Sequence, residues 1–314
     1  MSKTYKVDLR IVNYHYVRNI KRSKYKNIRG LEFKDFKEQI YYLKKKYEII
    51  SIDDLLNNDF NNNKKLLLLT FDDGYLDHFI YVYPFLKKEK IQGCFFAPVN
   101  SILHKDILDV NKLHFIFNAE NNSYKIYKKV ISLLKEFNLD VNKYLKLQIE
   151  LKKKYDLRFN DKYRNLVRNF LQYILPSKVR KNILDRLFSE FVTNDKESFL
   201  KELYLNKLHA KEMIKNGMHF GSHGKTHEWL EYLSPDSQFD ELYSSKKLLL
   251  ELGVNKEKLT ISYPFGSYNK ATLKICKKLN YKIGFANEAK KLSDYYSNVL
   301  KLPRYDTNDF KISK

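Results

Sequence analysis

Residues Leu66–Tyr75 read Leu-Leu-Leu-Leu-Thr-Phe-Asp-Asp-Gly-Tyr, and this stretch decides the fold. Four leucines followed by Thr70 and Phe71 make a short apolar run, the pattern of a strand covered on both faces. The run stops at two adjacent carboxylates, Asp72 and Asp73, and then turns on Gly74. α/β enzymes present catalytic groups in this manner, at the C-terminal ends of buried parallel strands. A helix cap would account for Asp73 alone. It does not account for two acids side by side straight after a buried run.

Strands and helices alternate on either side of this stretch. Leu9–Val17 predicts a first strand, with His15 inside a Tyr-His-Tyr triplet. Phe33, Phe36, Ile40, Leu43 and Tyr47 recur at the spacing of one helical face. Glu48–Ser51 predicts a short strand, residues 75–88 a helix interrupted at Pro84, and Gly93–Val99 another buried strand. From 109 to 205 the chain has no glycine and a single proline, Pro176, and its apolar spacing is helical throughout. Alternation then resumes, with strands at Gly217–Ser222, Leu259–Tyr263, Lys282–Ala286 and Val299–Arg304, and helices at Asp236–Leu252 and Ala271–Leu279. The expected organisation is a parallel α/β sheet or barrel over 1–108 and 206–314, with 109–205 as an all-helical insertion.

The chain of 314 residues is long enough for a large core, and its net charge is +22. Such a charge first suggests nucleic acid or an anionic membrane surface. The lysines are spread along the chain rather than gathered in a block, so the charge reads mainly as solvated surface, with anion attraction second. Scattered cations also argue against nucleic acid as the partner. Two cysteines, Cys94 and Cys276, are too few for a disulfide framework. The first residues lack the apolar core of a secretory signal, and no window approaches the roughly 20 apolar residues of a membrane span. A soluble cytoplasmic protein is expected.

The strand Gly217–Ser222 ends in His223-Gly224-Lys225-Thr226-His227. Two histidines four apart, just beyond a strand end, can converge on one metal ion. Imidazole suits zinc and its first-row neighbours cobalt and nickel, and a carboxylate would complete a three-ligand site with one position open for water. A lone His-x-x-x-His is more often structural. Here two independent strands each deliver metal-competent groups where a parallel fold places its active site.

Thr70-Phe71-Asp72-Asp73-Gly74-Tyr75, followed by Gly221-Ser222-His223 and His227, resembles the first two motifs of the polysaccharide deacetylases (carbohydrate esterase family 4, the nodulation-factor deacetylase homology domain). Tyr263-Pro264-Phe265-Gly266 resembles the segment that lines one wall of that family's groove. The resemblance implies a distorted (β/α) barrel and metal-dependent removal of N-acyl groups from amino sugars. It implies Asp73, His223 and His227 as ligands of one divalent ion, zinc first, and Asp72 as general base. A backbone N–H near Tyr75 would stabilise the oxyanion.

The chain departs from the family's pattern in two places. Ser262 stands where an arginine is expected to steady the base, and no histidine follows His227 to serve as general acid. Arg304, the only arginine after Arg186, is the candidate substitute for the first, entering from the last strand. His15 is the candidate for the second, as acid or substrate contact, with a core histidine as the alternative. Trp229 reads either as an apolar wall for the acyl group or as packing. His219 has the parity of His223 but lies too deep for a ligand and reads as core. The substrate class implied is an N-acylated amino sugar of a polysaccharide or of a lipid- or nucleotide-linked glycan precursor, the latter with peripheral contact to an anionic membrane. Competing readings are a catalytically silent glycan-binding barrel and a basic nucleic-acid-binding protein.

Overall fold

The computed structural model describes residues 8–61, 63–151, 161–289 and 299–309, so residues 152–160 of the expected helical insertion lie outside the described residues. Two compact units emerge, a barrel unit of residues 8–19, 29–61, 63–106, 200–289 and 299–309 and a helical unit of residues 20–28, 107–151 and 161–199. Residues 20–28, expected with the barrel, group with the helical unit.

The barrel strands are β1 (Asp8–Tyr14), β2 (Glu48–Ile49), β3 (Lys65–Asp72), β4 (Cys94–Ala97), β5 (His219–Ser222), β6 (Thr260–Ser262), β7 (Ile283–Ala286), β8 (Leu302–Pro303) and β9 (Tyr305–Asp306). All pair in parallel, in the order β8-β7-β6-β5-β4-β3-β1-β9, with β2 beside the start of β3. Only Arg304 separates β8 from β9, so one short stretch serves both outer edges of the sheet and curls it into a nearly closed barrel. The expected last strand, Val299–Arg304, is therefore a single 3₁₀ turn at Val299–Lys301 followed by two short pairings.

Period-2 alternation sorts the strand side chains. Leu66 and Leu68 cluster with Leu9, Ile11, Cys94, Phe96, Ile283, Phe285 and Leu302 inside the barrel. Leu67, Leu69 and Phe71 pack outward with Tyr14, Phe95 and the apolar faces of the surrounding helices. Leu66 to Leu69 are all fully buried, each contributing about 2 kcal/mol by area removed from water. This double burial is why the strand reads as an unbroken apolar run.

The surrounding helices are α1 (Phe33–Lys46), α2 (Ile52–Asn57), α3 (Tyr83–Lys88), α4 (Val99–Ile102), α5 (Lys207–Lys215), α6 (Pro235–Leu252) and α7 (Lys270–Lys278). A π-turn, His78–Val82, precedes α3. Helical backbone runs on from this π-turn into α3 without a gap, so the interruption expected at Pro84 takes the form of the π-turn just before it. In the helical unit Ile126, Val130, Leu133 and Phe170 are buried. Its interior also holds Lys112, whose Nζ lies 2.9 Å from Asp185 Oδ1, and Arg180, paired with Asp109 at 2.9 Å. Among the described residues no helix is long and apolar enough to cross a membrane.

Candidate metal centre

The alternation that buries Leu66 and Leu68 carries Thr70 and Asp72 to the same inner face, so Asp72 enters the barrel at its C-terminal mouth. Asp73 would alternate outward, but it adopts a left-handed φ of 73°, followed by Gly74 at 69°. A Cβ on Gly74 would stand 2.6 Å from the Ala97 Cβ, so this turn requires glycine. The turn brings Asp73 to the mouth beside Asp72. Tyr75, fully buried and stacked on Tyr16 at 4.1 Å, donates its hydroxyl to Asp73 Oδ2 at 2.5 Å. Asp73 Oδ1 is left facing the histidines.

His223 follows β5 with the inward parity of His219 and Gly221. Its Nδ1 lies 2.7 Å from the Ser262 carbonyl oxygen. A carbonyl only accepts, so Nδ1 carries the proton and Nε2 presents its lone pair. His227 reaches the same point from a left-handed residue, φ 63°. The two Nε2 atoms are 3.2 Å apart, and Asp73 Oδ1 is 3.4 Å from each. Metal–ligand bonds of about 2.0–2.1 Å in a tetrahedral site give ligand–ligand edges of about 3.3–3.4 Å, so these three atoms already stand at coordinating separation. All three residues are buried, and they form a group able to converge on one cation among the described residues.

Electrostatics supports the same reading. Burial alone would raise the Asp73 carboxyl, but the His223 hydrogen bond and the nearby His227 and His15 hold it far below the usual carboxylate range. Burial, and then His223, pushes His227 down to about 4, so its imidazole is neutral at pH 7. His223 goes the other way: burial would lower its proton affinity, yet Asp72 and Asp73 raise it. The carboxylates thus favour positive charge near the point where the three ligand atoms meet.

Asp72 sits outside this trio, with Oδ2 3.9 Å from His223 Nε2. Arg304, 2% exposed, grips it in a fork: Nη1 donates to Oδ1 at 2.9 Å and Nη2 to Oδ2 at 2.7 Å. Ser262 Oγ donates to Asp72 Oδ2 at 3.1 Å and accepts from Arg304 Nη2 at 2.9 Å. Asn13, Thr70 and Asn287 accept the remaining Nη donations at 3.1, 3.2 and 2.7 Å. Burial pushes Asp72 up, but Arg304 outweighs it and holds the carboxyl at about 2. Arg304 from β8–β9 thus reaches the space that an arginine two residues before Pro264 would have served. The sequence reading missed Asn13, Thr70 and Asn287, although Asn13 and Thr70 share the inward parity of Ile11 and Leu68.

His15 directly follows β1, where Tyr14 pairs with Phe71, so it lies level with Asp72. It is near enough to influence the titration of Asp72, Asp73 and His227. His78 of the π-turn donates Nε2–H to the His15 carbonyl at 2.8 Å, tying down that end of β1. His219 is core, bonded to Thr260 Oγ1 at 2.7 Å.

The residues expected to contact substrate divide by burial. Tyr75 and Tyr263 are fully buried, with the Tyr263 hydroxyl donated to the Leu300 carbonyl at 2.8 Å. Pro264 is buried, and Gly266 packs against Asn287. Trp229 and Phe265 are partly exposed. Their rings stack at 4.3 Å, and Phe265 meets the His227 ring at 4.6 Å, giving an apolar surface that begins at a candidate ligand.

The family model described as Polysaccharide deacetylase matches residues 152–284. YxkH of Bacillus subtilis (strain 168), assigned by name to the polysaccharide deacetylases, is 36% identical over 85 residues, which is 27% of this chain and 30% of that protein. The match therefore spans less than a third of that relative's length. Among solved structures, the Streptococcus pyogenes deacetylase PplD in complex with acetate is similar over 96% of this chain and 92% of its own, at 20% identity and a TM-score of 0.58. IcaB from Ammonifex degensii is similar over 97% of this chain and 94% of its own, at 15% identity and a TM-score of 0.53. At these identities the structural likeness is one of fold.

Proposed function

We propose that the chain, whose residues 152–284 match the polysaccharide deacetylase family model, is a metal-dependent carbohydrate N-deacetylase. In this reading it removes an N-acyl group, acetyl first, from an amino sugar of a polysaccharide or of a lipid- or nucleotide-linked glycan precursor. The observation that carries the reading is the convergence of Asp73 Oδ1, His223 Nε2 and His227 Nε2 at 3.2–3.4 Å, with a clamped second carboxylate beside them.

Asp73, His223 and His227 would hold the ion, and their mixed oxygen and nitrogen donors suit zinc, with cobalt and nickel as alternatives. When bound, such an ion polarises the amide carbonyl and acidifies water, from about 15.7 towards about 7 in the best zinc case. Asp72 accepts the proton as water attacks the carbonyl carbon. At a pKa of about 2 it is ionised at neutral pH, and so stands ready to accept a proton. Arg304 and Ser262 fix the carboxylate plane, so the base is oriented before substrate arrives. The backbone N–H near Tyr75 serves the developing oxyanion. His15 gives its proton to the departing amine, and the Trp229–Phe265 surface packs against the acyl group.

The test is a screen for acetate and formate release from N-acylated sugars presented free, as polymer, nucleotide-linked and lipid-linked. Release in one arm names the substrate class; metal in place with no release in any arm overturns the reading. A phosphate-bearing precursor at an anionic membrane would give the charge of +22 a use.

Arg304→Lys should not rescue the clamp. A lysine supplies one point of charge where the structure uses both Nη groups, whose four N–H bonds share six acceptor contacts. Loss of the fork is expected to cost about 3–5 kcal/mol of stability, the range for a broken buried pair, seen as a lowered Tm with metal content unchanged. A Tm within two degrees of the parent would show that the fork contributes nothing.

A further inference from the structure

The loop between the two candidate ligand histidines has a clamp of its own. Gly224 and His227 both take left-handed φ, at 73° and 63°, and a non-glycine residue so placed costs about 1–3 kcal/mol unless its surroundings hold it. The carbonyls of Gly224 and Lys225 accept from Val99 N and Asn100 N at 3.1 and 3.0 Å, at the start of α4. The N–H groups of Lys225 and Thr226 converge on Glu241 Oε2 at 2.7 and 2.9 Å, and Thr226 Oγ1 donates to Glu241 Oε1 at 2.5 Å. Glu241, on α6, is 6% exposed. Gly224 leaves room for it, since a Cβ there would stand 2.9 Å from Glu241 Oε2.

No step assigned above uses this carboxylate. Burying a charge is costly unless it is fully hydrogen-bonded, and three of its bonds come from the two residues that precede His227. Accepting from two successive N–H groups fixes the peptide planes on both sides of Lys225. Those planes set the direction in which His227 leaves the loop. The bonds are charge-assisted, hence shorter and stiffer than neutral ones.

We infer that Glu241 is a positioning residue for the metal centre. It holds the loop so that His227 Nε2 meets His223 Nε2 and Asp73 Oδ1, and it sets metal affinity without belonging to the coordinating group. The inference rests on the metal-site reading under Proposed function.

The experiment compares parent, Glu241→Gln and Thr226→Val. Zinc affinity is measured by competition with a chromophoric chelator, Tm on the metal-free forms, and turnover at limiting and saturating zinc. Glu241→Gln keeps the shape but replaces one acceptor oxygen with a donor and removes the charge, while Thr226→Val deletes the hydroxyl bond alone. Zinc binding should weaken about 10–100-fold in Glu241→Gln, the range for groups that orient metal ligands, and less in Thr226→Val. Metal-free Tm should stay close to the parent's, and saturating zinc should restore turnover. Zinc affinity within twofold of the parent in both variants overturns the inference, as does a turnover deficit that excess zinc does not repair. A parent that binds no zinc overturns the metal-centre reading and this inference with it.

Discussion

Asp73→Ala and His223→Ala proteins are expected to purify without stoichiometric metal and to release no acyl group above background. Each substitution takes one of three donor atoms from a buried site, and two donors do not hold a divalent ion against a chelating buffer. Activity that depends on the ion falls with it, so the loss approaches the whole rate enhancement, on the order of 10⁶-fold or more for an enzyme. His223→Ala also strips the Ser262 carbonyl of its Nδ1–H partner, a further cost of about 1–3 kcal/mol. Asp73→Asn is the gentler companion, since its amide oxygen can still accept from Tyr75. Elemental analysis and circular dichroism on the same preparations decide the matter. One metal per chain retained in a folded Asp73→Ala protein would place the ion elsewhere.

Asp72→Asn should separate the two halves of the site. The side chain keeps its shape and Asp73, His223 and His227 are untouched, so the metal stays. The proton acceptor is gone, and turnover should fall by about 10²–10⁴-fold, the span that positioned acid–base groups contribute. Arg304 then faces a neutral amide in a buried cage, so Tm should drop as well. Activity within tenfold of the parent at full metal occupancy would assign the base to another group.

The stretch 66–75 made the barrel legible because burial on both faces leaves an unmistakable apolar run, and acids at its end have few other uses. The histidine pair was legible for a similar reason, its spacing being short and local. The environment of Arg304 was not. Asn13, Thr70, Ser262 and Asn287 lie on different strands, and nothing local in sequence says that one guanidinium gathers them; only the closed sheet does. The burial of the Tyr75 and Tyr263 rings was not legible either, since only the folded chain shows each hydroxyl finding its partner inside the protein. Residues 20–28 carry no mark separating them from the barrel segments on either side, so their place with the helical unit emerged only from packing.

The pairing of β9 with β1 joins Tyr305 to Val12, among the longest-range contacts in the molecule, and the arginine beside it completes the cage around Asp72. Joining such distant parts of a chain carries a large loop-closure entropy. Without that arginine, burial would push the Asp72 carboxyl up and favour its protonated form. On the proposed reading, an ionised base at Asp72 therefore depends on the closed ring as much as on the acid itself, because the arginine that holds it arrives only with the last strand pairing.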